Sequence, residues 1–282
     1  MANLLKLLKL FALITQEERK NWKSIHKHAS FAGSLAPGSL ISVYGRNLAY
    51  RDDQAAALPL PVDLSGTKVT LNGQPVPLVF ASPFQINAQL PYTISGDATL
   101  TVSSPNGPAS ISVNIADAAP GIFFSGAPAI LHTNNTLVTP DNPVIAGEFI
   151  SIYSTGLGRV NGAIAAGQPS PSNPLLAVAA AVEVRLGSAT LTPTFAGLAP
   201  GYAGLYQVVV RIPPETGSGN LALRIVTRGV SSNTVLLPVG FFNTDPFRAG
   251  PPQARGVMDS LRGPAVAELS DEGPTAPAGR QA

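Results

Sequence analysis

The residue types best suited to metal binding are few in this chain and stand apart from one another. His26 and His28 are separated by a single residue, and the third histidine, His132, lies far along the chain. There is no cysteine, which excludes thiolate ligands, disulfides and a cysteine nucleophile. No clustered carboxylates accompany the histidines, as a zinc site with few nitrogen ligands would require. We therefore predict no metal site and no cofactor.

Hydrolytic chemistry is also poorly supported. The nucleophile motif G-x-S-x-G is absent. Asp63 in DLSG and Ser154 in STG each match part of the aspartic-protease triplet, but a dyad needs two aspartates and only Asp63 is offered. Asp52 and Asp53 have no acidic counterpart at matched spacing, so the paired carboxylates of a glycosidase are unsupported. A Ser–His–Asp arrangement of distant residues stays open at this stage, but we predict that the chain is not an enzyme.

Three polar or aromatic residues remain as candidates for binding. Tyr202, in the loop GLAPGYA, could stack on a sugar or a partner protein, or could pack over the end of a sheet. Gln85 and Gln207 occupy matching phrases and could line a ligand groove. We favour a structural role in which each amide bonds the backbone of the preceding loop.

The phrases that hold these glutamines reveal a duplication. SPFQINAQLP (82–91) and GLYQVVVRIP (204–213) both run from an aromatic residue through Gln and an alternating apolar stretch to Pro91 or Pro213. SLISVYG matches EFISIYS in the second half, and this match aligns Tyr44 with Tyr153. KVTLNG matches EVRLG, and GPASISVNI matches GVSSNTVLL. Four matching segments in one order predict a repeated structural unit.

The matching segments alternate in the manner of strands. Phe84, Ile86, Ala88 and Leu90 are predicted to face a core, with the glutamines on the other side. The two prolines end their strands because proline gives no amide to the ladder. Asn72-Gly73 predicts a tight hairpin. With 27 Gly and 27 Pro in 282 residues, the pattern predicts an all-β chain of two tandem immunoglobulin-like sandwiches.

The predicted organisation has five segments. They are a basic and apolar N-terminal helix (1–28, with its core at 3–20), a first sandwich (29–117), a linking hairpin (118–144), a second sandwich (145–242) and a disordered tail (243–282). The helix either is peripheral to a membrane or reflects a misassigned start. No apolar run is long enough for a transmembrane helix, and no clean signal peptide is evident.

Charge argues against nucleic acid as a partner. The net charge is +2 overall, but residues 1–28 carry six basic and two acidic residues, a balance of +4. The remaining 254 residues therefore have a balance of −2 and lack the basic face that phosphate backbones require.

The motifs HASFAGSLAPGSLISVYGRNLA, SPFQINAQLP, APGIF, STGLG and FAGLAPGYAGLYQVVVRIP resemble an uncharacterised carboxy-terminal domain family of soil acidobacterial (Solibacter-type) surface proteins. That family is similar to IPT/TIG immunoglobulin-like modules, and the resemblance covers about residues 28–241. It implies a tandem all-β module, secreted or at the cell surface, with no known activity or cofactor. We therefore expect a non-catalytic structural or adhesion-type binding module with a protein or glycan partner. The alternative is a carbohydrate-binding accessory module detached from a larger secreted enzyme.

Overall fold

Alternation of apolar and polar residues produces strands throughout the part of the chain that the structure describes. This part of the computed structural model comprises residues 25–27, 34–105 and 107–240, and none of these residues is helical. In the first half the strands are β1 (Ile25–Lys27), β2 (Leu40–Tyr44), β3 (Asp53–Gln54), β4 (Lys68–Leu71), β5 (Gln74–Val76), β6 (Leu78–Ala81), β7 (Gln85–Gln89), β8 (Gly96–Ser104) and β9 (Gly107–Ile115).

The second half begins with four short strands and then repeats the pattern of longer ones. The strands are β10 (Gly121–Ile122), β11 (Phe124–Ser125), β12 (Ala127–Pro128), β13 (Ile130–His132), β14 (Val144–Ile145), β15 (Phe149–Thr155), β16 (Val182–Leu186), β17 (Ala189–Leu191), β18 (Phe195–Leu198), β19 (Tyr206–Arg211), β20 (Gly219–Thr227), β21 (Val230–Ser231) and β22 (Val235–Gly240).

Each half contains two main sheets that share one hydrophobic core. In the first half, sheet 1 has the order β1-β2-β7-β6-β3 and sheet 2 the order β5-β4-β8-β9. In the second half, sheet 3 has the order β10-β15-β19-β18, with β13 also on β15. Sheet 4 has the order β14-β22-β20-β16-β17, with β21 also on β20. Ile41, Ile86 and Leu100 lie in the first core, and Ile152, Val208 and Ile225 in the second.

The strand orders of the two halves correspond. The series β2-β7-β6 in sheet 1 matches β15-β19-β18 in sheet 3, and β5-β4-β8-β9 in sheet 2 matches β17-β16-β20-β22 in sheet 4. The four pairs of segments that the repeated phrases matched lie in β2 and β15, β7 and β19, β4 and β16, and β9 and β22, so the duplication in sequence is accompanied by corresponding strand orders. The described part is all-β, as predicted.

The turn chemistry follows from residue type. Asn72 and Gly73 join β4 to β5 with φ values of 50° and 79°, as a two-residue hairpin requires. In the predicted linking segment, Asn135 turns the chain with φ 63°, and Leu131 bridges Leu137 in antiparallel fashion. Because β13 also pairs with β15, this segment forms part of sheet 3.

The prediction of a helix over residues 1–28 is wrong at its end. Residues 25–27 form β1, which pairs antiparallel with β2 and places Ile25 opposite Val43. The edge of β2 offers unpaired backbone groups, and an extended segment satisfies them where a helix would not. The helix core at 3–20 and the tail at 243–282 lie outside the described residues. Among the described residues, no helix has the length and apolar character to span a membrane.

Strand β7 differs from the predicted half-buried strand. Phe84 precedes the strand and is 43% exposed, so it is not a core residue. Asn87 and Gln89, on the face opposite Ile86, are fully buried. Both faces of β7 are therefore buried, and at Gln89 the residues that cover it come from the second half of the chain.

Candidate functional site

The contact between the two halves, which we call the seam, combines a buried polar network with aromatic residues. Its apolar part is a cluster to which the first half contributes Leu40 and Val79. The second half contributes Phe123, Ala129, Leu131, Leu137, Tyr153, Ala199, Tyr202 and Leu205.

Tyr202, the predicted contact for a sugar or partner, lies at this seam. Its side chain is partly buried against the cluster, and its carbonyl accepts from the Ser170 amide (3.0 Å) and hydroxyl (2.9 Å). Burial raises the pKa of the Tyr202 hydroxyl. Burial also raises the pKa of Tyr153, and the nearby Tyr202 adds to that shift. Tyr202 therefore packs partly against its own chain.

The polar part of the seam is centred on Gln89. Its Nε2 donates to the Tyr92 hydroxyl (2.9 Å), and its Oε1 accepts from the Gly167 amide of the second half (2.6 Å). The Gly167 carbonyl in turn accepts from the Leu60 amide (2.9 Å). A Cβ at Gly204 would lie 2.9 Å from Gln89 Cδ, so a glycine is needed there for the loop to approach. A buried amide satisfied on both sides fixes the position of the strand it joins.

Tyr206 and Tyr92 continue the seam beside Gly38. The Tyr206 hydroxyl donates to the Gly158 carbonyl and lies 3.4 Å from the Pro37 carbonyl of the first half. Burial raises the pKa of Tyr206 well above its usual range, and Tyr92 adds to the shift. Burial likewise raises the pKa of Tyr92, against the lowering effect of its bonds to Gln89 and Gly204. Both phenols therefore stay neutral and act as hydrogen-bond partners.

The tyrosines and prolines of the repeat signature occupy equivalent positions with different surroundings. Tyr44 is half-buried at the end of β2, opposite Gln85, whereas Tyr153 is buried in the seam. Pro91 follows the end of β7, and its carbonyl accepts from the Gly38 amide (3.2 Å). Pro213 follows β19 and accepts from the Thr216 amide (3.1 Å).

The signature glutamines bond side chains rather than the backbone of the preceding loop, so the favoured prediction for them is wrong. Gln85 Nε2 donates to Asn87 Oδ1 (2.7 Å), which also accepts from Ser42 (2.8 Å). Gln207 Nε2 donates to Ser151 Oγ (3.0 Å). Each glutamine lies on the outer face of its sheet, and strand alternation keeps it away from the loop backbone.

The candidates for acid–base chemistry are dispersed. His132 Nδ1 lies 2.6 Å from Glu148 Oε1, and its Nε2 lies 3.1 Å from the Asn142 carbonyl. Asp63 accepts from the Gly66 amide (3.1 Å), and Asp53 accepts from a serine hydroxyl. Within the described ranges, no three His, Asp or Glu side chains come together as metal ligands. His26 lies in β1, and His28 falls outside the described residues.

A second surface, which the sequence did not single out, lies on the outer face of sheet 3. We call it the open face and define it by Phe149, Ser151, Phe195, Gln207, Val209 and Arg211. Phe149 lies opposite Arg211, and Val209 lies between Ser151 and Phe195. Phe149 is 39% exposed and Arg211 is exposed, while the other four are half-buried.

Two close contacts shape the open face. The Arg211 guanidinium lies 5.8 Å from the centre of the Phe149 ring, and its Nε donates to the Gly147 carbonyl (3.0 Å). The Phe195 ring covers Gly197, where a Cβ would lie 2.5 Å from Phe195 Cζ. The missing side chain at Gly197 thus leaves room for the ring beside Gln207, which is opposite Gly197 in the ladder.

The alternation in FISIYS and YQVVVR carried a usable signal for this surface. It places Phe149 with Ser151, and Gln207 with Arg211, on the non-core sides of two strands. What it did not show is that these strands are neighbours or that Phe195 joins them.

Comparison with known proteins finds solved structures of low similarity to this chain. No protein-family model matches it, and no curated protein matches it in sequence. It is similar to SGBP-B from a complex xyloglucan utilization locus in Bacteroides uniformis (12% identity, 77% of this chain and 49% of that chain, TM-score 0.26). It is also similar to the SGBP-B of the Bacteroides ovatus mixed-linkage glucan utilization locus (12% identity, 75% and 44%, TM-score 0.32).

Immunoglobulin tandems are a further kind of neighbour. The I9–I11 tandem of titin is 11% identical over 77% of this chain and 64% of that chain, with a TM-score of 0.20. The chain spans about half or less of the length of the two glycan-binding proteins. TM-scores this low do not establish a shared overall fold, so these names assign no ligand to this chain.

Proposed function

We propose that this chain is a non-catalytic binding module of the adhesion type, built from two tandem immunoglobulin-like sandwiches that act as one rigid body. The observation that supports this proposal is the contact between the two halves at the seam. Gln89 binds the Gly167 amide, and the Leu40 amide donates to Thr155 Oγ1 (2.8 Å) across the two halves. With the apolar cluster beside them, these buried bonds hold the loops of both halves in fixed relative positions. A binding surface that is already ordered loses less entropy on association.

We further propose that the chain belongs to the acidobacterial surface-protein family named above and works at or beyond the cell surface. The motifs support this proposal. FAGLAPGYAGLYQVVVRIP spans β18, the loop that carries Tyr202, and β19, so one of the motifs that carry the resemblance also contributes to the seam.

The rigid-body proposal is tested by measuring rotational diffusion of the full chain by ¹⁵N relaxation. We expect residues of sheets 1 and 2 to report the same correlation time as those of sheets 3 and 4. Two distinct correlation times would contradict it.

The absence of catalysis and the location need separate assays. Purified full chain should not turn over ester, glycoside or peptide substrates, and an activity that stays with the protein through successive purification steps would overturn this part. In the native bacterium, protease added to intact cells should degrade the chain; full protection would refute a surface location.

A carbohydrate-binding accessory module is the second candidate, and the open face favours it. An exposed ring, a ring laid over a glycine and a paired amide and hydroxyl share the outer side of one sheet. Such a combination can pack the C–H face of a sugar and bond its hydroxyl groups.

A further inference from the structure

We propose that the open face binds an anionic polysaccharide that contains uronic acids, with Arg211 contacting a carboxylate and Phe149 and Phe195 supporting sugar rings. This inference deepens the binding role proposed above and rests on it. It assigns the ligand to the part of sheet 3 beside the seam, where Tyr153 of the seam lies opposite Gln207 of the open face.

The dimensions suit a short oligosaccharide. Phe149 and Phe195 are two strands apart and two residues out of register. With strands about 4.8 Å apart and a rise of about 3.4 Å per residue, their Cα atoms are separated by roughly 12 Å. Val209 lies between Ser151 and Phe195, and Gln207 lies two residues beyond Val209, opposite Gly197. The hydrogen bond that Gln207 Nε2 donates to Ser151 Oγ orients the amide, while Gln207 Oε1 can accept from a sugar hydroxyl.

Charge selects among polysaccharides. At the outward register positions of β13, β15, β18 and β19, Arg211 is the one charged residue. No carboxylate pairs with Arg211 among the described residues. Its Nε is held by the Gly147 carbonyl, which leaves the terminal nitrogens to form the paired hydrogen bonds that a carboxylate accepts. An unpaired guanidinium on a surface of otherwise neutral residues complements an anion.

The first half shows why the open face is specific to the second. The equivalent surface of sheet 1 carries Ser42, Asn87 and Gln89, and all three are buried. Val209 stands where Asn87 stands in the repeat, so the second half has lost the internal partner of its glutamine. Gln207 therefore bonds a single hydroxyl and stays partly exposed.

The test is affinity electrophoresis of the full chain in gels that contain polygalacturonate or alginate, with dextran and hydroxyethyl cellulose as neutral polysaccharides. We expect retardation by the two uronic-acid polymers, weakened by added salt. Arg211→Gln should weaken binding at least about tenfold, because it removes a charge-assisted pair of hydrogen bonds. Arg211→Lys should recover only part of it. Phe149→Ala should weaken binding roughly two- to tenfold.

Matched controls are available on other surfaces. Arg185→Gln removes an exposed arginine of sheet 4, which pairs with Glu183 at 3.8 Å, and Phe124→Ala removes a ring that is 55% exposed. Both should bind as the unmodified chain does. No retardation, equal retardation by the neutral polymers, or equal losses in controls and test variants would overturn the proposal.

Viscometry of the same polymer solutions separates this inference from the proposed function. Binding at constant viscosity supports both. A fall in viscosity would show chain cleavage and overturn the non-catalytic role. Absence of binding, with a single rotational correlation time retained, would overturn the ligand assignment alone.

Discussion

Replacing Gln89 by methionine tests whether the seam couples the two halves. Methionine matches the length of glutamine but offers neither the amide donor nor the strong acceptor. The Gly167 amide would then be a buried donor without a partner, and the Tyr92 hydroxyl would lose one of its bonds. The apolar contacts of the side chain would be largely retained.

The expected loss follows from these two groups. A buried donor left unsatisfied costs about 1–3 kcal/mol, and a lost neutral hydrogen bond about 0.5–1.5 kcal/mol. Tyr92 keeps its hydrogen bond to the Gly204 amide. The loss at Tyr92 is therefore expected near the lower end of the range for a neutral hydrogen bond. We expect Gln89→Met to lower the free energy of unfolding by about 1.5–3.5 kcal/mol.

Urea titration followed by far-UV and near-UV circular dichroism measures this loss. The unmodified chain should unfold in one transition that both signals share. In Gln89→Met the midpoint should fall, and a smaller m-value or separated transitions would mark uncoupled halves. Gln54→Met is the control, since Gln54 is exposed and should shift stability by less than about 0.5 kcal/mol. Equal effects of the two substitutions would refute the reasoning.

Three further predictions concern the same architecture. Gly38→Ala should destabilise the chain by several kcal/mol more than Gly201→Ala in urea titrations, since both have positive φ but a Cβ at Gly38 would overlap Tyr92 whereas Gly201 is open; equal losses would contradict this. The raised pKa values of Tyr92 and Tyr206 mean that stability is complete below about pH 10 and falls above it by about 1.4 kcal/mol per pH unit for each phenol, because only the unfolded phenols ionise there. Alkaline denaturation should show this slope and Tyr92→Phe should reduce it, while an unchanged slope would count against the burial of Tyr92. Glu148→Gln should cost about 1–3 kcal/mol in thermal or urea unfolding, because the carboxylate bonds both a histidine and the Ile145 amide; a neutral result would show that the carboxylate charge adds nothing there.

Local patterns predicted an all-β chain and the Asn72-Gly73 hairpin because they act over short distances. Alternation along KVTL and QINAQ determines which residues can pair in a ladder, and Asn72-Gly73 closes its hairpin by backbone preference alone. The repeated phrases then predicted that the second half would copy the first, and the matching strand orders agree. None of this required knowledge of distant contacts.

Long-range contacts are what the sequence could not show. The alternating pattern predicts that Gln89, a polar residue on the side opposite the core, faces solvent. It is instead buried, and its partner is the Gly167 amide, 78 residues away in the sequence. Tyr202 drew attention as a loop aromatic, and it is partly buried against a cluster that also includes Leu40 and Val79 of the other half. The open face needed three strands to be neighbours before Phe149 and Phe195 could share a surface.

Gln89 has one further consequence, for how such a chain can evolve. Gln89 of the first copy bonds the Gly167 amide, which belongs to the second copy. The two copies are therefore not independent domains that could replace one another. A gene rearrangement that moved one copy alone would leave Gln89 or the Gly167 amide without its hydrogen-bond partner. We therefore expect the two copies to be transferred between proteins together, with glycines kept at positions 167 and 204, where the chain meets Gln89.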